Sequence, residues 1–121
     1  MGKENVLKDK SFAFALRVVK AYKYLAKEKG EFVLSKQLLR CGTSIGALVR
    51  EAEYAQSIPD FINKMSVALK ETNETEYWLM LLKESDYIDY DVFSSIIEDC
   101  QELLKLLISS INTSKKKLNK K

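Results

Sequence analysis

The stretch FINKMSVALKETNETEYWLML, residues 61–81, decides the fold of this chain. In a helix that turns about 100° per residue, it places apolar side chains on two separate faces. One face holds Phe61, Met65, Ala68, Thr72 and Leu79, and the other holds Val67, Glu71, Glu74, Trp78 and Leu81. A helix that is buried on two sides needs two neighbours. The pattern therefore predicts one neighbour in the same bundle and a second in another copy of the chain.

A helix predicted over residues 8–29 also carries two apolar stripes. The stripe that we assign to the bundle core consists of Phe12, Ala15, Leu16, Val19, Tyr22 and Ala26. The other has spacings of four, three and four, which are typical of a helix-packing seam, and consists of Phe14, Val18, Ala21 and Leu25. We assign this second stripe to contacts between subunits. Gly30 follows the helix in the position where a left-handed residue is favoured.

The next helix is predicted over residues 35–56, with Ser35 as its N-cap. Its core stripe consists of Leu38, Cys41, Ile45, Leu48, Val49, Ala52 and Ala55. Gly42 and Gly46 lie at the edge of this stripe, where each costs about 1 kcal/mol relative to Ala. They indicate either the close approach of another helix or a local distortion of this one.

Two further helices follow, over residues 58–83 and 90–113. Ser57 and Asp60 resemble a capping box at the start of the first. The last helix has one broad stripe and a polar outer face, and the stripe consists of Phe93, Ile96, Ile97, Cys100, Leu103, Leu104, Leu107 and Ile111. Four helices joined by short loops predict an all-α, up-down-up-down antiparallel four-helix bundle over residues 1–113. The Lys-rich residues 114–121 are predicted to be a disordered tail.

The composition excludes several classes of functional site. The chain of 121 residues fits one domain and contains no His, which excludes Ser-His-Asp and Cys-His nucleophilic sites and His-ligated metals. No apolar run is long enough to span a membrane, and the N-terminus does not resemble a signal peptide. We therefore expect a cytoplasmic protein without a cofactor, and Cys41 and Cys100 are expected to be buried thiols rather than a disulfide.

The carboxylates of the third helix need partners. A metal site built from Glu51, Glu71, Glu74 and Glu76 would lack an imidazole ligand and would suit only a hard cation. We favour ion pairs with Arg40 or Arg50, because carboxylates beside buried apolar side chains are costly without donors. A polar ligand pocket remains an alternative. The predicted polar network consists of Arg40, Glu51, Glu71 and Glu74, and the predicted subunit contacts are Phe14, Val18, Leu25, Val67, Trp78 and Leu81.

The net charge of +3 conceals a gradient along the chain. Residues 1–50 hold eleven basic and four acidic residues, residues 51–114 hold four and thirteen, and residues 115–121 add five lysines. Basic and acidic helices can simply complement one another within or between subunits. The alternative is a nucleic-acid surface on the first helix, with the candidate contacts Arg17, Lys20, Lys23 and Lys27.

The combination of fragments along residues 10–112 resembles a known bacterial family. The fragments are LSKQLLR (34–40), TSIGA (43–47), VREA (49–52), AQS (55–57), DF (60–61), ALKE (68–71) and ETEYWL (74–79). On these residues the chain resembles the 23S rRNA intervening-sequence proteins, which are related to accessory subunits of diversity-generating retroelements.

The resemblance implies a homopentameric ring of four-helix bundles with no known enzymatic activity, and the sequence identifies no small-molecule substrate. Retroelement relatives bind nucleic acid and a reverse transcriptase through a basic surface, so RNA is a candidate partner besides the chain itself. Leu48 stands where relatives commonly carry Asn, so no ligand role is transferred to this position. Residues 1–114 are slightly acidic in sum, unlike the basic relatives.

Overall fold

The computed structural model is an all-α four-helix bundle that describes the backbone of residues 3–120 and the side chains of residues 6–120. Its helices are α1 (Lys3–Lys29), α2 (Leu34–Glu53), α3 (Ile58–Glu84) and α4 (Tyr90–Asn119). Each helix packs against the next along the chain, and α1 also packs against α4. The described residues form no strand, and none of their helices is both long and apolar enough to cross a membrane.

The connection between α1 and α2 is fixed by backbone hydrogen bonds. Gly30 has the predicted left-handed conformation, with φ of 63°, and the Glu31 N–H donates to the Leu25 carbonyl at 2.9 Å. The N-terminus of α2 differs from the prediction that Ser35 caps it. The Glu31 carboxylate accepts from the N–H groups of Val33, Leu34 and Ser35 at 2.7–3.1 Å, and the Ser35 hydroxyl donates back to the Glu31 carbonyl. A carboxylate can satisfy several free N–H groups, which a single hydroxyl cannot do.

The start of α3 follows the capping prediction. The Ser57 hydroxyl oxygen accepts from the Asp60 N–H at 3.1 Å, and the Asp60 carboxylate accepts from the Gln56 N–H at 3.1 Å. Asp89 caps α4 in the same way by accepting from the Val92 N–H at 2.8 Å. These side chains set where each helix begins.

Three of the four predicted core stripes are confirmed. The fully or nearly buried side chains of α2, α3 and α4 include Leu38, Cys41, Ile45, Val49, Ala52, Met65, Ala68, Leu79, Ile96, Cys100, Leu103, Leu107 and Ile111. Thr72 is also fully buried, and its hydroxyl donates to the Ala68 carbonyl at 2.7 Å. Both cysteines are free and buried as expected, and burial raises the pKa of the Cys100 thiol to about 12.

The assignment of the two stripes of α1 is wrong. Phe14, Val18 and Leu25 are at most 1% exposed and lie in the core of a single chain, so they are not subunit contacts. Phe12 and Leu16, which we assigned to the core, are 53% and 50% exposed. Both stripes exist, but the one with the spacing of a packing seam packs against this chain's own helices.

The glycines of α2 explain this choice. A Cβ atom on Gly42 would lie 2.8 Å from Cγ2 of Val18, and one on Gly46 would lie 3.5 Å from the backbone carbonyl oxygen of Ser11. The two glycines therefore allow α1 to approach closely, which confirms the first of the two alternatives. Val18 fills the space that the missing Gly42 side chain leaves.

Two helices are longer than predicted. α1 begins at Lys3, and Leu7 adds a fully buried side chain to its inner stripe. α4 continues to Asn119, so residues 114–119 are helical and not a disordered tail. No Gly or Pro interrupts this segment, and lysines near a helix C-terminus interact favourably with its dipole. Met1, Gly2 and Lys121, which also fall in the predicted bundle and tail, lie outside the described residues.

Candidate subunit interface

A polar cluster lies on the side of the bundle that α2 and α3 form. The Arg40 guanidinium reaches both carboxylates of α3, with Nη1 3.3 Å from Glu71 Oε1 and Nη2 2.5 Å from Glu74 Oε2. These contacts confirm the predicted pairing of Arg40 with Glu71 and Glu74. Because two carboxylates share one guanidinium, neither is left without a donor in this partly buried position.

Trp78 extends the cluster along α3. Its indole N–H donates to Glu74 Oε2 at 3.0 Å. This hydrogen bond and the guanidinium of Arg40 together hold the pKa of Glu74 below its usual range, although burial acts in the opposite direction. The same pairing raises the pKa of Arg40. Both groups are therefore charged at neutral pH, and Glu74 fixes the orientation of the indole ring.

Apolar side chains surround this cluster. Val67, Trp78 and Leu81 are half-buried in the single chain. The apolar area that these side chains leave exposed lies next to charged groups that are already paired with one another. We name the surface formed by Arg40, Val67, Glu71, Glu74, Trp78 and Leu81 the α2–α3 face.

Glu51 does not belong to the cluster. Its carboxylate is mostly exposed and lies 3.9 Å from Lys64 Nζ, at the limit of an ion pair. Arg50, the alternative partner for the carboxylates, lies over the ring of Phe12, with its Cζ 5.8 Å from the ring centroid. Glu51 points away because it lies three turns of α2 from Arg40, beyond the reach of one guanidinium.

A second apolar surface lies on α1, where the exposed stripe turns toward α2. The contact of Phe12 with Arg50 fixes its orientation, and Leu16 and Val19 continue along the same side of the helix. We name Phe12, Leu16 and Val19 the outer strip of α1. The sequence predicts this apolar stripe, but it predicts it for the core and not for the surface.

The candidate nucleic-acid residues are only partly available. Arg17 Nη1 lies 2.7 Å from Asp99 Oδ2 and Nη2 donates to the Ser95 hydroxyl oxygen at 3.1 Å, so this guanidinium joins α1 to α4. Lys20, Lys23 and Lys27 are exposed, and among the described residues no carboxylate lies within ion-pair distance of them. The Asp99 and Ser95 partners of Arg17 were not predicted.

The described residues contain little that suggests a ligand. They include no group of three or more acidic, Cys or His residues placed to hold a metal. A cleft of about 480 Å³ lies at one end of the bundle, is wide open to solvent and is lined by Ser57, Phe61, Lys117 and neighbouring residues. The two apolar surfaces are therefore the most distinctive features of the molecule.

Comparisons with known proteins agree with the fold. A family model described as 23S rRNA-intervening sequence protein matches residues 3–109, a range that contains both surfaces. A solved structure, described as a protein with unknown function from the S23 ribosomal protein family of Bacteroides thetaiotaomicron, is 60% identical. The match covers 91% of this chain and 98% of that chain, with a TM-score of 0.90. No curated protein matches the sequence. The chain belongs to the 23S rRNA-intervening sequence protein family.

Proposed function

We propose that this protein is a non-enzymatic, self-assembling scaffold of the cytoplasm, in which copies of an up-down-up-down bundle form a closed ring. The family resemblance implies five copies. The observation that carries the proposal is the outer strip of α1, where Phe12 and Leu16 are about half exposed on a single chain. The strip is continuous with the half-buried Val19, so it forms an apolar surface rather than a scattered exposed residue.

The antiparallel arrangement is supported by the order of the contacts between helices. Along α1, Ser11 lies near Gly46 and the later residue Val18 lies near the earlier residue Gly42. Between α2 and α3, Arg40 reaches Glu74 whereas Glu51 lies near Lys64. In both pairs the residue number rises along one helix and falls along the other, as up-down-up-down topology requires.

The energetic reason for assembly is the apolar area of the strip. Complete burial of a Leu or Phe side chain contributes roughly 1.5–3 kcal/mol, so covering the exposed half of each contributes about 1 kcal/mol. A ring buries such an area on every copy. Association still costs translational and rotational freedom, so a second surface must contribute as well.

The test is the mass of the protein in solution by light scattering. We expect an oligomer for the natural sequence and a lower mass at the same concentration for Leu16→Ser. The matched control is Ile108→Ser, which changes a comparably exposed side chain of α4 and should keep the oligomer. A well-folded monomer of the natural sequence at high concentration would overturn the proposal.

RNA binding is a second candidate function, and the helical end of α4 favours it. Lys115, Lys116 and Lys117 are exposed on this helix and Lys120 directly follows it, and no described carboxylate lies within ion-pair distance of these four lysines. These lysines follow the residues that the family model matches. They are a better-supported phosphate contact than the predicted α1 set, because Arg17 is engaged by Asp99.

A further inference from the structure

The two apolar surfaces lie on neighbouring sides of one bundle. The outer strip of α1 turns toward α2, since Phe12 lies under the Arg50 guanidinium. The α2–α3 face lies on the other flank of α2, since Arg40 reaches across to Glu71 and Glu74. Helix α2 is therefore the edge that the two sides share.

The surfaces also differ in charge. Lys23 and its neighbours Lys20 and Lys27 flank the outer strip without a carboxylate partner among the described residues. On the α2–α3 face, one guanidinium is within ion-pair distance of two carboxylates. A strip placed against another strip would bring lysines only against lysines, whereas the α2–α3 face, with Lys70 at its edge, also offers the carboxylates Glu71 and Glu74.

The charges lie at matching heights along the bundle. Val18 is level with Gly42, and Arg40, half a turn earlier on α2, is level with Glu71 and Glu74. In this antiparallel register Lys20 is level with Arg40, and Lys23 lies about one turn further along α1. Copies placed side by side at the same height would bring these groups together.

We infer that the outer strip of α1 of one copy packs on the α2–α3 face of the next copy, with α2 nearest the axis of the ring. The inference rests on the proposed function and names the two faces that meet. Because the two sides are neighbours and not opposites, each copy is rotated relative to the last, which is what a closed ring requires of a head-to-tail contact.

Other sides of the described bundle fit the strip less well. The outer face of α4 offers the carboxylates Glu98 and Glu102, but the exposed large hydrophobic side chains of this helix lie only toward its two ends, at Tyr90, Val92, Ile108 and Leu118. The α2–α3 face combines carboxylates with a contiguous apolar group that includes Trp78. Such a combination of a large aromatic anchor and paired charges is typical of interface centres.

Cross-linking between single cysteines on the two faces tests the inference. Lys23→Cys places a thiol beside the outer strip, and Lys70→Cys places one beside Glu74, whose pKa the charge of Lys70 helps to lower. Both lysines are exposed, so folding should be unaffected. The natural Cys41 and Cys100 are fully buried and should not react with a flexible bismaleimide in the folded protein.

We expect the double variant Lys23→Cys/Lys70→Cys to give a ladder of covalent species that ends at the size of the ring. Each single variant and the natural chain should remain uncross-linked. The matched control, Lys23→Cys/Lys105→Cys, moves the second thiol to the exposed side of α4 and should give no ladder.

The alternative outcomes are distinct. Dimers from Lys23→Cys alone would mean that two strips meet, and a ladder from the control pair alone would place the strip on α4. A double variant that is oligomeric but gives no ladder would mean that the two faces do not meet. Each of these overturns the inference and leaves self-assembly intact. A monomeric mass of the natural chain before cross-linking would instead overturn the proposed function itself.

Discussion

At the scale of a single residue, Gly42 determines which stripe of α1 lies in the core. Its missing side chain leaves the space that Val18 occupies, and Val18 is fully buried. A β-branched side chain in a helix has essentially one rotamer, so Val18 cannot move aside cheaply. The position of α1 on α2 therefore depends on the absence of one methyl group.

This contact predicts opposite effects for two glycine substitutions. Gly42→Ala should lower the free energy of unfolding by up to about 2 kcal/mol, because the overpacking cost of roughly 1–3 kcal/mol exceeds the gain in helix propensity of about 1 kcal/mol. Gly46→Ala meets only ordinary contact distances and should raise it by up to about 1 kcal/mol. Urea unfolding of both variants measures the difference. Equal stabilisation of the two would contradict the close contact with Val18.

Glu31 makes the start of α2 sensitive to acid. Burial opposes ionisation of this carboxyl, but three backbone N–H donors and the Ser35 hydroxyl outweigh burial and lower its pKa from the usual 4.5. A carboxyl whose pKa is lower in the folded protein contributes stability above its unfolded pKa. That contribution is lost as the pH falls through the folded pKa.

We therefore expect Glu31→Gln to cost about 1–2 kcal/mol at neutral pH, where it removes a charged acceptor of several N–H groups. The difference in unfolding free energy between the natural chain and the variant should shrink as the pH falls below about 4.5, toward the folded pKa. Thermal or urea unfolding at several pH values checks this. Glu28→Gln, on an exposed carboxyl nearby, is the control and should show no such convergence.

At the scale of whole helices, the sequence predicted most of what is observed. α2 and α4 each have one apolar stripe that contains the buried residues, and the two faces of α3 were distinguishable because one contains carboxylates. Capping by Ser57 and the left-handed Gly30 were recognisable because their chemistry is local. The polar cluster was predictable because carboxylates that lie beside buried apolar side chains need donors.

The inner side of α1 was not predictable from α1 alone. Both of its stripes are apolar and helical in spacing, so periodicity cannot rank them. The choice depends on the glycines of α2, which belong to a different helix. The pairing of Arg17 with Asp99 was missed for a similar reason, since the partners lie 82 positions apart in the sequence.

Trp78 is the side chain of α3 whose loss should weaken assembly most. It is half-buried in the single chain and is held by its hydrogen bond to Glu74. Trp78→Ala should cost about 2 kcal/mol or more of association free energy, or roughly a 30-fold loss of affinity between copies. Light scattering over a dilution series gives the mass, and circular dichroism should show that the helices persist.

The adjacent residue provides the control. Tyr77 is 58% exposed and lies at the edge of the α2–α3 face, where its ring contacts that of Trp78. Tyr77→Ala should leave the oligomer nearly unchanged. An oligomer of unchanged mass and affinity in Trp78→Ala would contradict the role of this face.

At the scale of the whole molecule, assembly would determine how the lysines of α4 meet a polyanion. In a cyclic ring all copies point the same way, so the ends of α4, with Lys115, Lys116, Lys117 and the following Lys120, would lie on one side of the ring. Several weak contacts on one rigid surface bind a long chain more strongly than one copy does. The lysine-rich end and the ring would thus depend on each other for RNA binding.

Salt dependence tests this idea. Each lysine that engages a single-stranded RNA phosphate contributes about −0.7 to the slope of log affinity against log salt concentration, so the four lysines of one copy give about −3. Lys115→Ser/Lys117→Ser should bring the slope of one copy about 1.4 closer to zero. Lys36→Ser/Lys105→Ser removes the same charge from exposed positions elsewhere and should leave the slope unchanged. Fluorescence anisotropy of a labelled RNA gives both slopes.

Absence of a salt-sensitive signal at low ionic strength would exclude the RNA hypothesis. It would leave the proposed scaffold intact, because the lysines at the end of α4 belong neither to the outer strip of α1 nor to the α2–α3 face.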